Sequence, residues 1–226
     1  MTLDLTGRIL YRDGLVVILD KPAGIAVHRG PSGRPSLEDY FDQLRFGLPR
    51  LPALAHRLDA DTSGCLVLGR HPKALRRLAR IFSEGLAQKT YLAVLKGRPP
   101  EREGRIAIPL LKISSRGGGW HIVADPAGKH AITDYRILAA NDRLSVVKAL
   151  PRTGRTHQLR VHFAELGCPI LGDPRYGTGD DGTSCPLHLH AQALRLPLYP
   201  GRDDIDVNAP IPAHIARTLA DENLIF

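Results

Sequence analysis

The chain has 226 residues, 43% of them hydrophobic, enough to bury a substantial core without a metal or a disulfide. A formal net charge of +8 and a pI near 9.7 favour an anionic partner, and nucleic acid over a membrane because no apolar run is long enough to span a bilayer. The start, Met1 to Gly7, has neither the basic nor the apolar stretch of a secretory signal, so the cytoplasm is expected, and three widely spaced cysteines (Cys65, Cys168, Cys185) argue against a disulfide framework or zinc ribbon.

In chain order, the β-branched run Leu15 to Leu19 predicts the first strand, which ends in the turn Asp20-Lys21-Pro22-Ala23-Gly24 and is followed by the short extended piece Ile25 to Val27. Glycines and proline from Gly30 to Pro35 mark a loop, and Ser36 then caps a helix expected to run to about Phe46 on Leu37, Tyr40, Phe41 and Leu44. Pro72 to Glu84 predicts a second helix with Leu75, Leu78, Ala79 and Phe82 on its apolar face. Its Lys73, Arg76, Arg77 and Arg80 fit either phosphate contact or an ordinary solvated surface. Lys89 to Leu95 has the composition of a buried strand.

Between Ile106 and Leu150 short strands and tight turns are expected, with Gly117-Gly118-Gly119 as a hairpin tip and Thr133 to Leu138 as a strand. Thr156 is expected to cap a helix carrying Leu159, His162, Phe163 and Leu166, which Gly167 ends, with His157, Gln158 and Arg160 among its polar positions. His188 to Leu196 predicts a strand and Ala213 to Leu224 a closing helix. Many short strands, few helices and no βαβ rhythm give an α+β fold, a mainly antiparallel mixed sheet with flanking helices and a central catalytic cleft, in a single domain over residues 1–226.

Chemistry concentrates in His56-Arg57-Leu58-Asp59-Ala60-Asp61-Thr62-Ser63-Gly64, where polar groups crowd a bend ahead of the apolar run Cys65 to Leu68. Asp59 and Asp61 face one side if the segment is extended and diverge if it turns. Two carboxylates are compatible with a glycosidase pair, a magnesium site, or one nucleophile with a structural partner. Carboxylates this close on one segment rarely span the 5 to 10 Å or so of a glycosidase pair. Arg57 and Arg160 are candidates to keep a carboxylate ionised, against the alternative of a buried ion pair or a helix cap. A Ser63–His157 hydrolase lacks its G-x-S-x-G elbow, and Cys185, His188 and His190 make an incomplete metal site, so no metal is expected.

Several segments, in order, resemble the RluA-type pseudouridine synthases. Lys21 to Gly24 is similar to K-P-x-G, and His56 to Gly64 matches H-R-L-D-x-x-T-S-G. Lys89-Thr90-Tyr91 resembles K-x-Y, Thr153 to His162 matches T-G-R-T-H-Q-[IL]-R-x-H, Pro169 to Asp173 with Tyr176-Gly177 resembles P-I-x-G-D-x-x-Y-G, and Leu189-His190-Ala191 resembles L-H-A. The resemblance runs from about residue 15 to about residue 212 and implies a cofactor-independent isomerase that converts uridine in structured RNA, tRNA or a large-subunit rRNA stem-loop, to pseudouridine.

Carried over residue by residue, it makes Asp59 the nucleophile, Arg160 its basic partner, and Tyr91 the ring that stacks on the flipped uracil. Arg57 falls where the family's arginine fills the vacated space, and Leu159 where the base pocket is lined. His56, Thr62, Arg155 and His157 join them as substrate-binding positions, with hydroxyls beside a turn equally able to cap amides. With the first strand at about residue 15, no room is expected for a preceding RNA-binding domain, and a monomer needing no protein partner or membrane is expected. Two rivals remain: a binding module that has lost the chemistry, and a nucleoside hydrolase that releases free uracil.

Overall fold

A computed structural model describes residues 3–30, 33–114, 119–177 and 185–226. The chain divides into two compact units, Met1–Lys89 with His190–Pro210 and Thr90–Leu189 with Ile211–Phe226.

The first unit contains β1 (Ile9–Arg12), β2 (Val16–Lys21), β3 (Ala53–Leu54), β4 (Ser63–Gly69), α1 (Pro72–Ser83), β11 (Leu189–Leu196, from His190 on) and β12 (Ile205–Asn208). Its strands run in the order β1-β2-β4-β11, with β3 beside β4 and β12 beside β11. All pairs here are antiparallel except β4 with β11, where Ser63 faces His190 and Gly64 faces Ala191. Every residue of β4 is buried, as a strand flanked on both sides requires. Val16, Ile18, Val67, Leu78, Ile81, Leu194 and Leu196 pack into one core.

Three expectations change in this unit. Strand β1 precedes the predicted first strand, because its half-buried residues lie on a sheet edge and carry too weak an apolar signal to stand out. The segment after Ser36 is a 3₁₀ helix, Leu37–Leu44, with Leu37, Phe41 and Leu44 buried. The buried face of α1 is Ala74, Leu78 and Ile81 with Leu75 and Phe82 half-buried, while Ala79 is exposed. The true stripe steps by four and three residues from Ala74, which turns Ala79 outward.

The second unit holds β5 (Gln88–Lys96, from Thr90 on), β6 (Glu103–Ile106), β7 (Leu110–Ser114), β8 (Trp120–Ala124), β9 (Thr133–Ala140), β10 (Leu144–Pro151), α2 (Gln158–Glu165) and α3 (Ala213–Asp221). Antiparallel strands run β5-β10-β9-β6, and β7 pairs with β8 as a separate hairpin. Gly117 and Gly118 of the expected hairpin tip lie outside the described residues. A mixed, mostly antiparallel set of strands with few helices makes the protein α+β.

Helix α2 is not capped by Thr156. Its N-cap is His157, held at φ 54°, and Gln158 closes the start by accepting the Arg155 N–H through Oε1 at 3.0 Å. All six residues from Gln158 to Phe163 are buried, so this helix is enclosed rather than amphipathic. Gly167 ends it at φ 73° as expected, with the Cys168 N–H donating to the Phe163 carbonyl at 3.0 Å.

Candidate active site

Asp59 belongs to the first unit, Tyr91 and Arg160 to the second. Asp59 sits on a turn, the Thr62 N–H donating to the Asp59 carbonyl at 3.2 Å, so the turned alternative holds and Asp61 is not its neighbour on one strand face. The turn is gripped by Lys21, a residue with no exposed surface. Its Nζ donates to the Pro22, Ala60 and Thr62 carbonyls at 2.7, 2.8 and 2.9 Å, using all three ammonium protons. Burial pushes this ammonium down to about 8, against the opposing pull of Asp61, Asp59 and Asp20. The Gly24 N–H adds a bond to the Ala60 carbonyl at 2.9 Å.

The downstream end of the turn is equally constrained. Gly64, at φ +103°, lies so close to β11 that an added Cβ would meet the Ala191 carbonyl oxygen at 2.2 Å. Next to it, buried Ser63 Oγ and His190 Nδ1 are 2.8 Å apart, and His190 Nε2 lies 3.4 Å from the Ala209 carbonyl. That carbonyl can only accept, so His190 carries its proton on Nε2 and Ser63 donates to Nδ1. His56 accepts the Val67 N–H on Nε2 at 3.0 Å and packs on Phe82 with ring centroids 4.5 Å apart. Burial, with a smaller contribution from Lys89, pushes the ring down to about 4. Arg57 is exposed, whereas Thr62 is buried and its carbonyl serves the Lys21 clamp.

In the second unit Arg160 is 4% exposed and bonds Asp173 bidentately, Nε to Oδ2 and Nη2 to Oδ1, both at 2.7 Å. Burial raises the Asp173 carboxyl, but Arg160 and the Arg175 and Tyr176 amides outweigh it and hold it below the usual carboxylate range. The Tyr176 ring lies under the Arg160 guanidinium at 5.2 Å. The Tyr176 hydroxyl accepts the Ile122 N–H at 3.2 Å and is hydrogen-bonded to His157 Nδ1 at 2.8 Å. Trp120 also packs on that imidazole, with centroids 5.1 Å apart.

A satisfied polar network seats α2. Gln158 Nε2 donates to the Ile132 carbonyl and Thr133 Oγ1 at 2.9 and 3.0 Å, and Gln158 Oε1 accepts from Thr153 Oγ1 at 2.7 Å. Thr133 in turn faces His162 Nδ1 at 2.9 Å, while His162 Nε2 donates to the Ile108 carbonyl at 3.1 Å. Leu159 lies in the core beside Ala93 and Phe163, and half-buried Tyr91 packs against that same cluster. Arg155 is exposed, its Nε donating to the His130 carbonyl at 3.0 Å.

Sequence reasoning assigned no role to Lys21 or Asp173. Their signals were present: a lysine at the end of an apolar strand, and an aspartate within Pro169 to Asp173 that follows the helix carrying Arg160. Among the described residues no group of three or more His, Cys, Asp or Glu side chains is placed to hold a metal ion. His188 bonds the Pro186 carbonyl and Thr218, and His190 bonds Ser63 and Ala209.

The RNA pseudouridylate synthase family model matches residues 15–165. The chain belongs to the RNA pseudouridylate synthase family. With that membership it falls among the RNA-modifying isomerases. An uncharacterized RNA pseudouridine synthase of Zymomonas mobilis is 49% identical over 92% of this chain and 95% of its own length. The ribosomal large subunit pseudouridine synthase C of Buchnera aphidicola is 38% identical over 78% of this chain, which spans only 56% of that relative. The structure of human RNA pseudouridylate synthase domain containing 4 superposes with a TM-score of 0.83 at 26% identity, covering 98% of this chain and 95% of that one. No helix among the described residues is long and apolar enough to cross a membrane.

Proposed function

We propose that the protein isomerises specific uridines in structured RNA, in tRNA or large-subunit rRNA stem-loops, to pseudouridine, acting without cofactor or metal, as a cytoplasmic monomer and as one catalytic domain. The observation that carries this reading is the Asp59 turn. A carboxylate within a matched H-R-L-D-x-x-T-S-G segment stands on a bend whose carbonyls are held by a buried ammonium. A nucleophilic carboxylate must be ionised and held still, and the Lys21 clamp serves both needs.

In this reading Asp59 attacks the target nucleotide at the ribose anomeric carbon or at the uracil ring. The base detaches, turns and rejoins through carbon 5, and the proton on that carbon leaves. A stacked uridine is out of reach, so it flips, with Arg57, already exposed, free to occupy the gap. Tyr91 stacks on the uracil and Leu159 backs it from the core. Arg160, its guanidinium fixed in orientation by the bidentate bond to Asp173, takes the part of the basic partner that the resemblance assigns to Asp59. Arg155 and His157 supply contacts to the RNA, and His56 and Thr62 shape the turn.

The test is tritium release from uracil carbon 5 in unmodified tRNA and in large-subunit rRNA transcripts, with chelator present. Release with pseudouridine as product, abolished by Asp59→Asn with the fold intact, is the expected result. Free uracil as product would support the hydrolase instead, and release undiminished in Asp59→Asn removes this carboxylate from the chemistry.

A further inference from the structure

The first unit carries a basic and aromatic cluster that the reaction does not use. After the 3₁₀ helix the chain turns through Phe46 at φ 47° and Gly47 at φ 78°. The left-handed region is strained for a phenylalanine, and here it leaves a large apolar ring 38% exposed. Arg12, at the end of β1, lays its guanidinium over that ring at 4.1 Å, and Arg70, just past β4, lies over it at 6.0 Å. The Arg70 Nη1 is held by the Asp13 carbonyl at 2.5 Å, while its buried Nε has no acceptor among the described residues. No ion pair among the described residues engages Arg12, Arg50 or Arg70, and the exposed Arg50 and Leu51 follow on the same loop.

An arginine stacked on an aromatic face is already ordered, so its N–H edges meet a phosphate with little further loss of freedom. Guanidinium groups without a carboxylate partner beside an exposed ring have the chemistry that grips a nucleic-acid strand: charge for phosphate, ring for base or sugar. Strand β4, Ser63–Gly69, separates Arg70 from the Asp59 turn, and at about 3.3 Å per residue that is roughly 20 Å, too far to touch the flipped nucleotide itself.

We propose that Arg12, Phe46, Arg50 and Arg70 form a second RNA contact, which grips the backbone of the substrate several nucleotides from the target uridine. This rests on the reading of the protein as an RNA-modifying enzyme. None of these residues lies in the reacting machinery, so the contact contributes to binding and leaves the chemical step alone.

The experiment compares wild type with Arg12→Glu/Arg50→Glu, Phe46→Ala and, as a control for charge removed elsewhere, Arg217→Glu on α3, which changes the net charge by half as much. Tritium release and filter binding are measured on a large-subunit rRNA transcript and bulk unmodified tRNA between 50 and 300 mM salt, roughly the range over which phosphate contacts are titrated. The double variant is expected to raise KM and Kd about tenfold, keep kcat within about twofold, and flatten the salt slope by about one to two units. Phe46→Ala, with both charges retained, is expected to raise Kd about threefold, and Arg217→Glu to change little. If the wild type isomerises RNA but KM, Kd and slope of the double variant are unaltered, or Arg217→Glu weakens binding equally, the patch is overturned and the catalytic reading stands. If no RNA is isomerised yet the double variant loses binding, the patch stands and the catalytic reading falls.

Discussion

The Asp59 turn and the start of α2 solve the same problem in opposite ways. In the first unit an irregular bend is held by one buried cation whose three protons go to backbone carbonyls. In the second a regular helix is held by side chains, with a bidentate Arg160–Asp173 pair at its heart and Gln158, Thr133, Thr153 and His162 around it. A turn has too few internal hydrogen bonds to fix its own shape and needs an outside donor. A helix satisfies its backbone and needs only its side chains anchored. Damage to the helix network should therefore appear first as lost stability, and damage to the clamp first as lost rate.

Asp173→Ala should have the largest effect on folding, because it strands the buried Arg160 charge. A loss of about 3 to 5 kcal/mol is expected in urea unfolding, with Asp173→Asn milder. A loss under 1 kcal/mol would show that Arg160 is not buried as described. Gly64→Ala comes next, combining a left-handed backbone with a Cβ 2.2 Å from the Ala191 oxygen. It should cost more than about 2 kcal/mol and disturb the β4–β11 pairing, which amide hydrogen exchange at Ser63 to Leu66 would reveal.

Lys21→Met reverses the pattern. It frees three carbonyls but also removes a buried charge, so stability should move by less than the Asp173→Ala loss, while kcat falls on the order of 10- to 100-fold as the turn drifts. The wild-type pH dependence sharpens the contrast. Lys21 titrates at about 8 in the fold against 10.5 ordinarily, so between these values the unfolded chain binds more protons and the contribution of this group to stability rises with pH. The charged clamp disappears over the same window, so kcat should fall above about pH 8 while the urea midpoint does not fall on this account. A kcat that stays flat to pH 10 would show that Lys21 keeps its proton in the fold across this range. Tyr176→Phe, which loses only the hydroxyl between Ile122 and His157, should be the mildest, about 1 kcal/mol in unfolding, with kcat nearly kept.

What the sequence alone determined is the local and the patterned: strands β5, β9 and β11, helices α1 and α3, the Gly167 stop, the α+β class, and a family resemblance concentrated in the polar segments His56 to Gly64 and Thr153 to His162. These follow from side-chain periodicity and from residue types that suit only a few backbone shapes. The cap of α2 and the outward turn of Ala79 were not legible, because each depends on which neighbour takes up a hydrogen bond or a surface. Only the tertiary structure decided that Lys21 grips the Asp59 turn, 41 residues from Lys21 to Thr62 along the chain, that Asp173 holds Arg160, and that His190 pairs with Ser63. Such partners are set by which strands lie side by side, and one-dimensional order carries no record of that adjacency until burial forces each charge and each hydroxyl to find its complement.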